Sequence, residues 1–162
     1  MPTRPARDSD LAAVAAIYDH EVRTAISTFD LVPPPASYWE GRLASTEPGD
    51  HLLVAEDGGE VLGYAYSASY RPRPAYRLTR ETSVYLTEEA RGRGLGRRLY
   101  DDLLPRLRDD GVHTAVALVA LPNDASLALH RACGFTEIGV MREVGRKFDR
   151  WIDTAWLQVP LA

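Results

Sequence analysis

Arg91-Gly92-Arg93-Gly94-Leu95-Gly96 constrains this chain more than any other segment. A strand-forming run, Ser83-Val84-Tyr85-Leu86, precedes it, and a run with helical spacing, Arg97 to Leu107, follows. Glycines repeated at such a junction allow backbone angles that other residues resist and let the chain come close to a ligand. A helix start adds unpaired N–H groups and the positive end of its dipole, which suits phosphate. Arg91 and Arg93 inside the loop, with Arg97 and Arg98 just beyond it, add charge. The segment reads as a pyrophosphate seat or, taken alone, equally as a strand-to-helix turn with solvated arginines.

The surrounding chain fixes the scale. Its 162 residues suit one domain over 1–162 with a real core. Apolar residues at 45% and charged residues at 26% indicate a soluble globular protein. A net charge of −4 argues against general nucleic-acid binding. Cys133 is the single cysteine, so no internal disulfide can form and a reducing, cytoplasmic setting is expected. The first residues lack the apolar stretch of a signal peptide, and no run is long enough for a membrane span. Histidines 20, 51, 113 and 130 lack the spacing of a paired metal site, so no metal is expected.

Asp8-Ser9-Asp10 supplies capping residues ahead of Leu11, Val14, Ala15, Tyr18 and Val22, which predicts a helix near 9–22. After Pro33-Pro34-Pro35, a short helix is expected over 36–45. Strands follow over 51–56 and 60–70, joined by the hairpin turn Asp57-Gly58-Gly59, and a third over 77–86 follows a proline-containing loop. A helix over about 95–109 contains Pro105, which should bend it or end it early. The apolar run Val112–Leu121 reads as a buried central strand. Asn123 or Asp124 caps a short helix ending at Cys133-Gly134, and two strands close the chain over 135–144 and 148–159. The order β, αα, βββ, α, β, α, ββ is that of an α/β (α+β) protein, a mixed sheet flanked by helices.

Three features resemble the GNAT acyl-CoA N-acetyltransferase superfamily. Arg91-x-x-Gly94-x-Gly96 has the spacing of its Q/R-x-x-G-x-G/A pyrophosphate loop. Leu121-Pro122-Asn123-Asp124-x-Ser126 precedes the second cofactor-side helix, and Leu129-His130-x-x-Cys133-Gly134-Phe135 is similar to the family's closing motif. Ile17-Tyr18, Ala75-Tyr76, Glu81-x-Ser83-Val84-Tyr85 and Val144-Gly145-x-Lys147-x-x-x-Trp151 resemble the phosphinothricin and methionine-sulfoximine acetyltransferase branch. The likeness runs along almost the whole chain. It implies a GNAT-like fold with a mostly antiparallel mixed sheet, acetyl-CoA as co-substrate, a small amino-acid-like acceptor and a homodimer with the last strands near the interface.

The resemblance also assigns roles. Arg91, Gly92, Arg93, Gly94, Leu95 and Gly96 would hold the pyrophosphate, and Val84, Tyr85 and Leu86 the pantetheine arm through backbone groups. Asn123 would bond that arm and Ser126 lies beside it, whereas Asp124 reads as an ordinary cap. Glu81 would be the general base for the incoming ammonium; the plainer reading is a salt bridge to Arg80, which would weaken it as a base. His130 would return a proton to the departing thiolate as imidazolium, or is a half-buried histidine satisfied by a backbone group. The acceptor would meet Phe29, Arg71, Pro72, Arg73, Glu81 and Thr82, with Tyr38 a further candidate. Arg71, Arg73, Arg77 and Arg80 suit an anionic amino acid, or form a solvated basic loop. Cys133 reads as inert packing. The implied reaction is acetyl transfer to the α-amino group of phosphinothricin, methionine sulfoximine or methionine sulfone. Alternatives are another amine (a polyamine or a protein N-terminus), an acyl-CoA sensor without turnover, and an RNA-modifying acetyltransferase, which the acidic balance disfavours.

Overall fold

A computed structural model describes all of residues 1–162. Strands and helices alternate as β1 (Thr3–Pro5), α1 (Leu11–Thr24), α2 (Ala36–Ala44), β2 (His51–Asp57), β3 (Glu60–Ser69), β4 (Thr79–Leu86), α3 (Leu95–Asp109), β5 (Thr114–Ala120), α4 (Asp124–Ala132), β6 (Thr136–Lys147) and β7 (Arg150–Pro160). The strands form a seven-stranded sheet in the order β1-β2-β3-β4-β5-β7-β6. Every neighbouring pair is antiparallel except β4 and β5. The mixed, mostly antiparallel sheet and the element order match the expectation from sequence.

Strand alternation sends successive side chains to opposite faces and so builds two cores. Leu53 and Ala55 of β2 and Ala65 of β3 join the core under α3, while Leu52, Val54 and Tyr64 join the core under α1 and α2. Helix α3 turns the stripe Leu95, Leu99, Leu103 and Leu107 onto the sheet, and none of the four is more than 1% exposed. Burying each contributes about 1.5–3 kcal/mol. That stripe explains a departure from expectation: α3 runs on to Asp109 despite Pro105. Pro105 lies on the exposed side of the helix, so the carbonyl freed at Asp101 can bond water while the leucines hold the helix down.

Helix α1 buries Val14, Ile17, Tyr18, Glu21 and Val22. The carboxylate is thus part of an otherwise apolar stripe. Tyr18, Trp39, Tyr64 and Tyr85 pack edge-on or tilted against one another at centroid separations of 5.3–5.6 Å and join α1, α2, β3 and β4. At the other end of the sheet, β6 is an edge strand with register shifts at Glu137/Gly139 and Met141/Gly145. Its outer side exposes Ile138, Met141 and Val144, and Phe148 and Trp151 continue the apolar surface. No helix is long and apolar enough to cross a membrane.

Candidate active site

The sheet is split beside its single parallel pair. Strand β4 matches β5 at Thr79↔Thr114, Arg80↔Ala115 and Glu81↔Val116, and there the register ends. Beyond that point β4 stays paired to β3 as far as Leu86, and β5 to β7 as far as Ala120. The inner edges of the two strands diverge, and a cavity of about 540 Å3 opens between them. Its walls are β4 from Thr82 to Leu86, Leu118 to Ala120 of β5, the start of α4 with Asn123, Ser126 and His130, and the glycine loop with the start of α3. Glu81 stands at the apex of this split.

The loop gives the cavity its charge. Gly92 and Gly94 hold φ of +73° and +77°, where a side chain is strained, and a Cβ on either would meet nothing within 4 Å. Gly94 is the N-cap of α3. No backbone N–H from Gly92 through Arg97 donates to another group of the protein. Free amides, the helix dipole and Arg91 make this an anion seat. Gly96 serves packing instead, because a Cβ there would come within 2.8 Å of Leu129 Cδ2; its absence lets α3 and α4 approach closely. Arg91 and Arg97 line the cavity, whereas Arg93 leans toward Asp57 at 3.7 Å and Arg98 bonds the Met1 carbonyl.

Asn123 caps α4, its side-chain oxygen accepting from the Ser126 N–H at 3.1 Å, and the residue lines the cavity. One turn on, His130 is buried with both ring nitrogens engaged. Nδ1 lies 2.7 Å from the Ser126 carbonyl and Nε2 lies 2.8 Å from the Tyr100 hydroxyl, which in turn lies 3.0 Å from Thr82 Oγ1. Burial lowers the histidine's pKa, with the Ser126 carbonyl opposing in part. His130 is therefore neutral near pH 7, which corrects the imidazolium expected from resemblance. The Thr82 hydroxyl is spent on Tyr100, on the α3 side of the sheet, away from the face that carries Glu81.

The Glu81 carboxylate has no hydrogen bond or ion pair in the protein. Burial raises its pKa above the ordinary carboxylate value, and the charges of Arg71 and Arg42 draw it back in part. Arg80 points to the other face, where it donates to the Pro48 carbonyl at 2.6 Å and faces Asp50 at 3.6 Å. The salt bridge between neighbours is absent, and the carboxylate stays free to accept a proton. Arg71 lies over the Tyr70 ring at 5.0 Å. Pro72 and Arg73 are exposed on the same loop. Arg42 spans the Tyr38 and Tyr66 rings at 5.1 and 5.2 Å. Its place four residues after Tyr38 on a short helix gave no sequence sign of this charge beside Glu81.

The segment between α1 and α2 forms the remaining wall. Lys147 is buried and donates to the Thr28 carbonyl at 2.8 Å, and burial lowers its pKa. Phe29 lies over Gly145, where a Cβ would collide with the ring. Ser27 bonds Glu21, whose other carboxylate oxygen meets Arg91 Nη2 at 2.6 Å. Glu21 and Tyr100 carry no site signature in the sequence; a carboxylate seven residues after Val14 in an apolar stripe was the available signal for the first. Cys133 is set apart, its thiol pushed up to about 11 by burial, which fits inert packing.

A mixed sheet split beside its parallel pair, with free amides at the mouth of the split, is the architecture of a GNAT acyltransferase. Residues 14–135 match the acetyltransferase (GNAT) family, and the chain belongs to it. It is 48% identical over 160 residues to a phosphinothricin N-acetyltransferase of Alcaligenes faecalis, covering 98% of this chain and 81% of that protein. It is 39% identical over 160 residues to an L-methionine sulfoximine/L-methionine sulfone acetyltransferase of Pseudomonas paraeruginosa, covering 98% and 93%. A phosphinothricin acetyltransferase of Sinorhizobium meliloti, solved in complex with AcCoA, superimposes with a TM-score of 0.94 at 38% identity over 99% of this chain and 88% of the other.

Proposed function

We propose that this chain transfers the acetyl group of acetyl-CoA to the α-amino group of a small amino acid of the phosphinothricin, methionine sulfoximine or methionine sulfone type. The observation that carries the reading is the split between β4 and β5, with unpaired loop amides at its mouth and a free carboxylate at its apex. The cradle suits acetyl-CoA: the open space beside Gly92 and Gly94 accepts a pyrophosphate, and the inner edge of β4 accepts an extended arm.

Arg91 and the amides of the loop bind the pyrophosphate. Backbone groups of Val84, Tyr85 and Leu86 and the Asn123 side chain align the pantetheine arm, and Ser126 fixes Asn123. An N–H on β4 polarises the thioester carbonyl; such a donor is worth about two to three orders of magnitude in rate. From the opposite face, Arg71 takes the acceptor's carboxylate, and Phe29, Pro72 and Arg73 form its surround. Glu81 removes a proton from the ammonium, directly or through water. The neutral amine then forms the C–N bond, the C–S bond breaks, and the departing thiolate takes a proton from water, because His130 has none to spare. Glu81 suits the base role because burial raises its pKa toward the working pH.

Arg71 and Arg42 near Glu81 favour an anionic acceptor over a polyamine. The exposed apolar side chains of β6 and its turn support a homodimer formed through that edge, and the lone cysteine fits the cytoplasm. Thiol release from acetyl-CoA, measured across amino acids, sulfoximines, polyamines and peptides, tests the reading. Turnover confined to amino acids and their analogues is the expected result; turnover of polyamines or peptides alone, or CoA binding without turnover, would refute it. Sedimentation velocity tests the dimer, and a monomer at micromolar concentration would exclude it.

A further inference from the structure

The buried carboxylate of Glu21 has no part in the reaction as derived above, yet it lines the cofactor cavity. A carboxylate beside an anion seat opposes the anion unless a cation stands between them. Here one does. Arg91, the first residue of the glycine loop, places Nη2 2.6 Å from Glu21 Oε1. The two side chains differ sharply in burial: Glu21 is 6% exposed and Arg91 51%. The carboxylate is the anchored partner, and the guanidinium is the part that reaches outward.

Two features make the anchor rigid. The second carboxylate oxygen accepts from the Ser27 hydroxyl, so the group cannot rotate freely. Its backbone belongs to the buried stripe of α1, between Tyr18 and Val22. Arg91 makes no other side-chain hydrogen bond or ion pair. A guanidinium carries five N–H donors, so most of them stay available after the bond to Glu21. An arginine side chain at the mouth of a slot would otherwise sample many rotamers, and ordering it would weaken ligand binding.

We propose that Glu21 is a positioning residue that aims the Arg91 guanidinium at the pyrophosphate of the acyl donor. The donor's charge is met by an arginine already fixed in place, and Ser27 ties that arrangement to the segment between α1 and α2. This rests on the loop's assignment as the pyrophosphate seat.

The test pairs two ligands. Coenzyme A is titrated calorimetrically into wild type, Glu21→Ala, Arg91→Ala and the double variant. Turnover is measured with S-acetylpantetheine, which carries the thioester arm without the pyrophosphate. Glu21→Ala is expected to raise the Kd for coenzyme A about tenfold, as Arg91→Ala does, with the double variant no worse than Arg91→Ala alone. Glu21→Gln keeps an oxygen for the guanidinium and recovers part of the loss, because a neutral bond is about half as strong as a charge-assisted one. kcat/KM with S-acetylpantetheine should stay within about twofold of wild type in Glu21→Ala and Glu21→Gln. Additive losses in the double variant, tighter binding in Glu21→Ala or Glu21→Gln, or an equal loss with S-acetylpantetheine would each overturn the role of Glu21. A wild type that binds coenzyme A normally while Glu21→Ala is unchanged removes Glu21 alone. A wild type that gives no heat with coenzyme A removes the pyrophosphate seat as well.

Discussion

Tyr100 Oη lies 2.8 Å from His130 Nε2, while the other nitrogen of that ring lies 2.7 Å from the Ser126 carbonyl. A carbonyl can only accept, so Nδ1 carries the hydrogen, Nε2 is bare and the tyrosine donates to it. Protonating the ring would require the tyrosine to turn its hydrogen from Nε2 to Thr82 Oγ1, and burial opposes the charge. The pH profile of kcat should therefore show no limb from a histidine near its ordinary value of 6.5. A rate that falls as pH rises through that value would restore His130 as the acid. Replacing Tyr100 with Phe leaves Nε2 and the Thr82 hydroxyl short of a partner in the interior, and should cost about 1–3 kcal/mol in urea unfolding.

Glu81 makes two predictions of opposite sign. Glu81→Gln should lower kcat by about 100-fold or more and leave the Kd for acetyl-CoA within about twofold. An unchanged kcat removes Glu81 as the base. The same variant should be more stable than wild type at pH 7. Burial raises the carboxyl's pKa, so between the unfolded and folded values the native state holds more protons and stability falls as pH rises. The variant lacks this loss. Its gain in Tm should shrink as pH falls through the raised value and vanish below the ordinary value of 4.5. A Tm difference that does not depend on pH would contradict this linkage.

Gly94→Val puts a branched side chain into open space at the mouth of the cavity, at a φ of +77°. Coenzyme A affinity should fall by at least about 100-fold, with left-handed strain adding about 1–2 kcal/mol of instability. Gly96→Val separates the two effects, because its Cβ meets Leu129 instead of the cavity. That variant should lose more stability than its neighbour. Normal coenzyme A binding by folded Gly94→Val excludes the loop as the seat.

The acceptor side is tested at Gly145 and Arg71. A Cβ at Gly145 would collide with Phe29, so Gly145→Ala must displace that ring. The KM for the amino acid should rise several-fold while that for acetyl-CoA stays level. Arg71→Ala should act in the same sense, by about tenfold, through loss of a charge-assisted bond. Equal changes in both KM values would detach these residues from acceptor binding.

The element order was legible because each break carries its own chemical sign: Asp57-Gly58-Gly59 for the hairpin, Asn123 for the α4 cap, and the leucine stripe for α3. Pro105 misled in part, since proline's penalty depends on which face it occupies, and that is decided by packing. The glycine loop was legible as a turn for the same reason as the hairpin: glycines at positive φ leave a mark in the sequence. Arg80 and Glu81 show what was not legible. Adjacent in sequence, they point to opposite faces, and the expected pair dissolves once the strand is formed. Glu21, Tyr100 and Arg42 came into view only through partners 70, 30 and 24 positions away. Long-range partners of this kind are set by topology and leave no local pattern.

The parting of β4 from β5 has a consequence for how such a protein can diversify. A cleft walled by main chain keeps the same row of dipoles whatever side chains are exchanged around it. Mutation can remodel the opposite face, with its arginines and aromatic rings, without touching the main-chain edges of the cleft. On the proposed function, geometry holds the donor's seat while the acceptor's side chains are free to change.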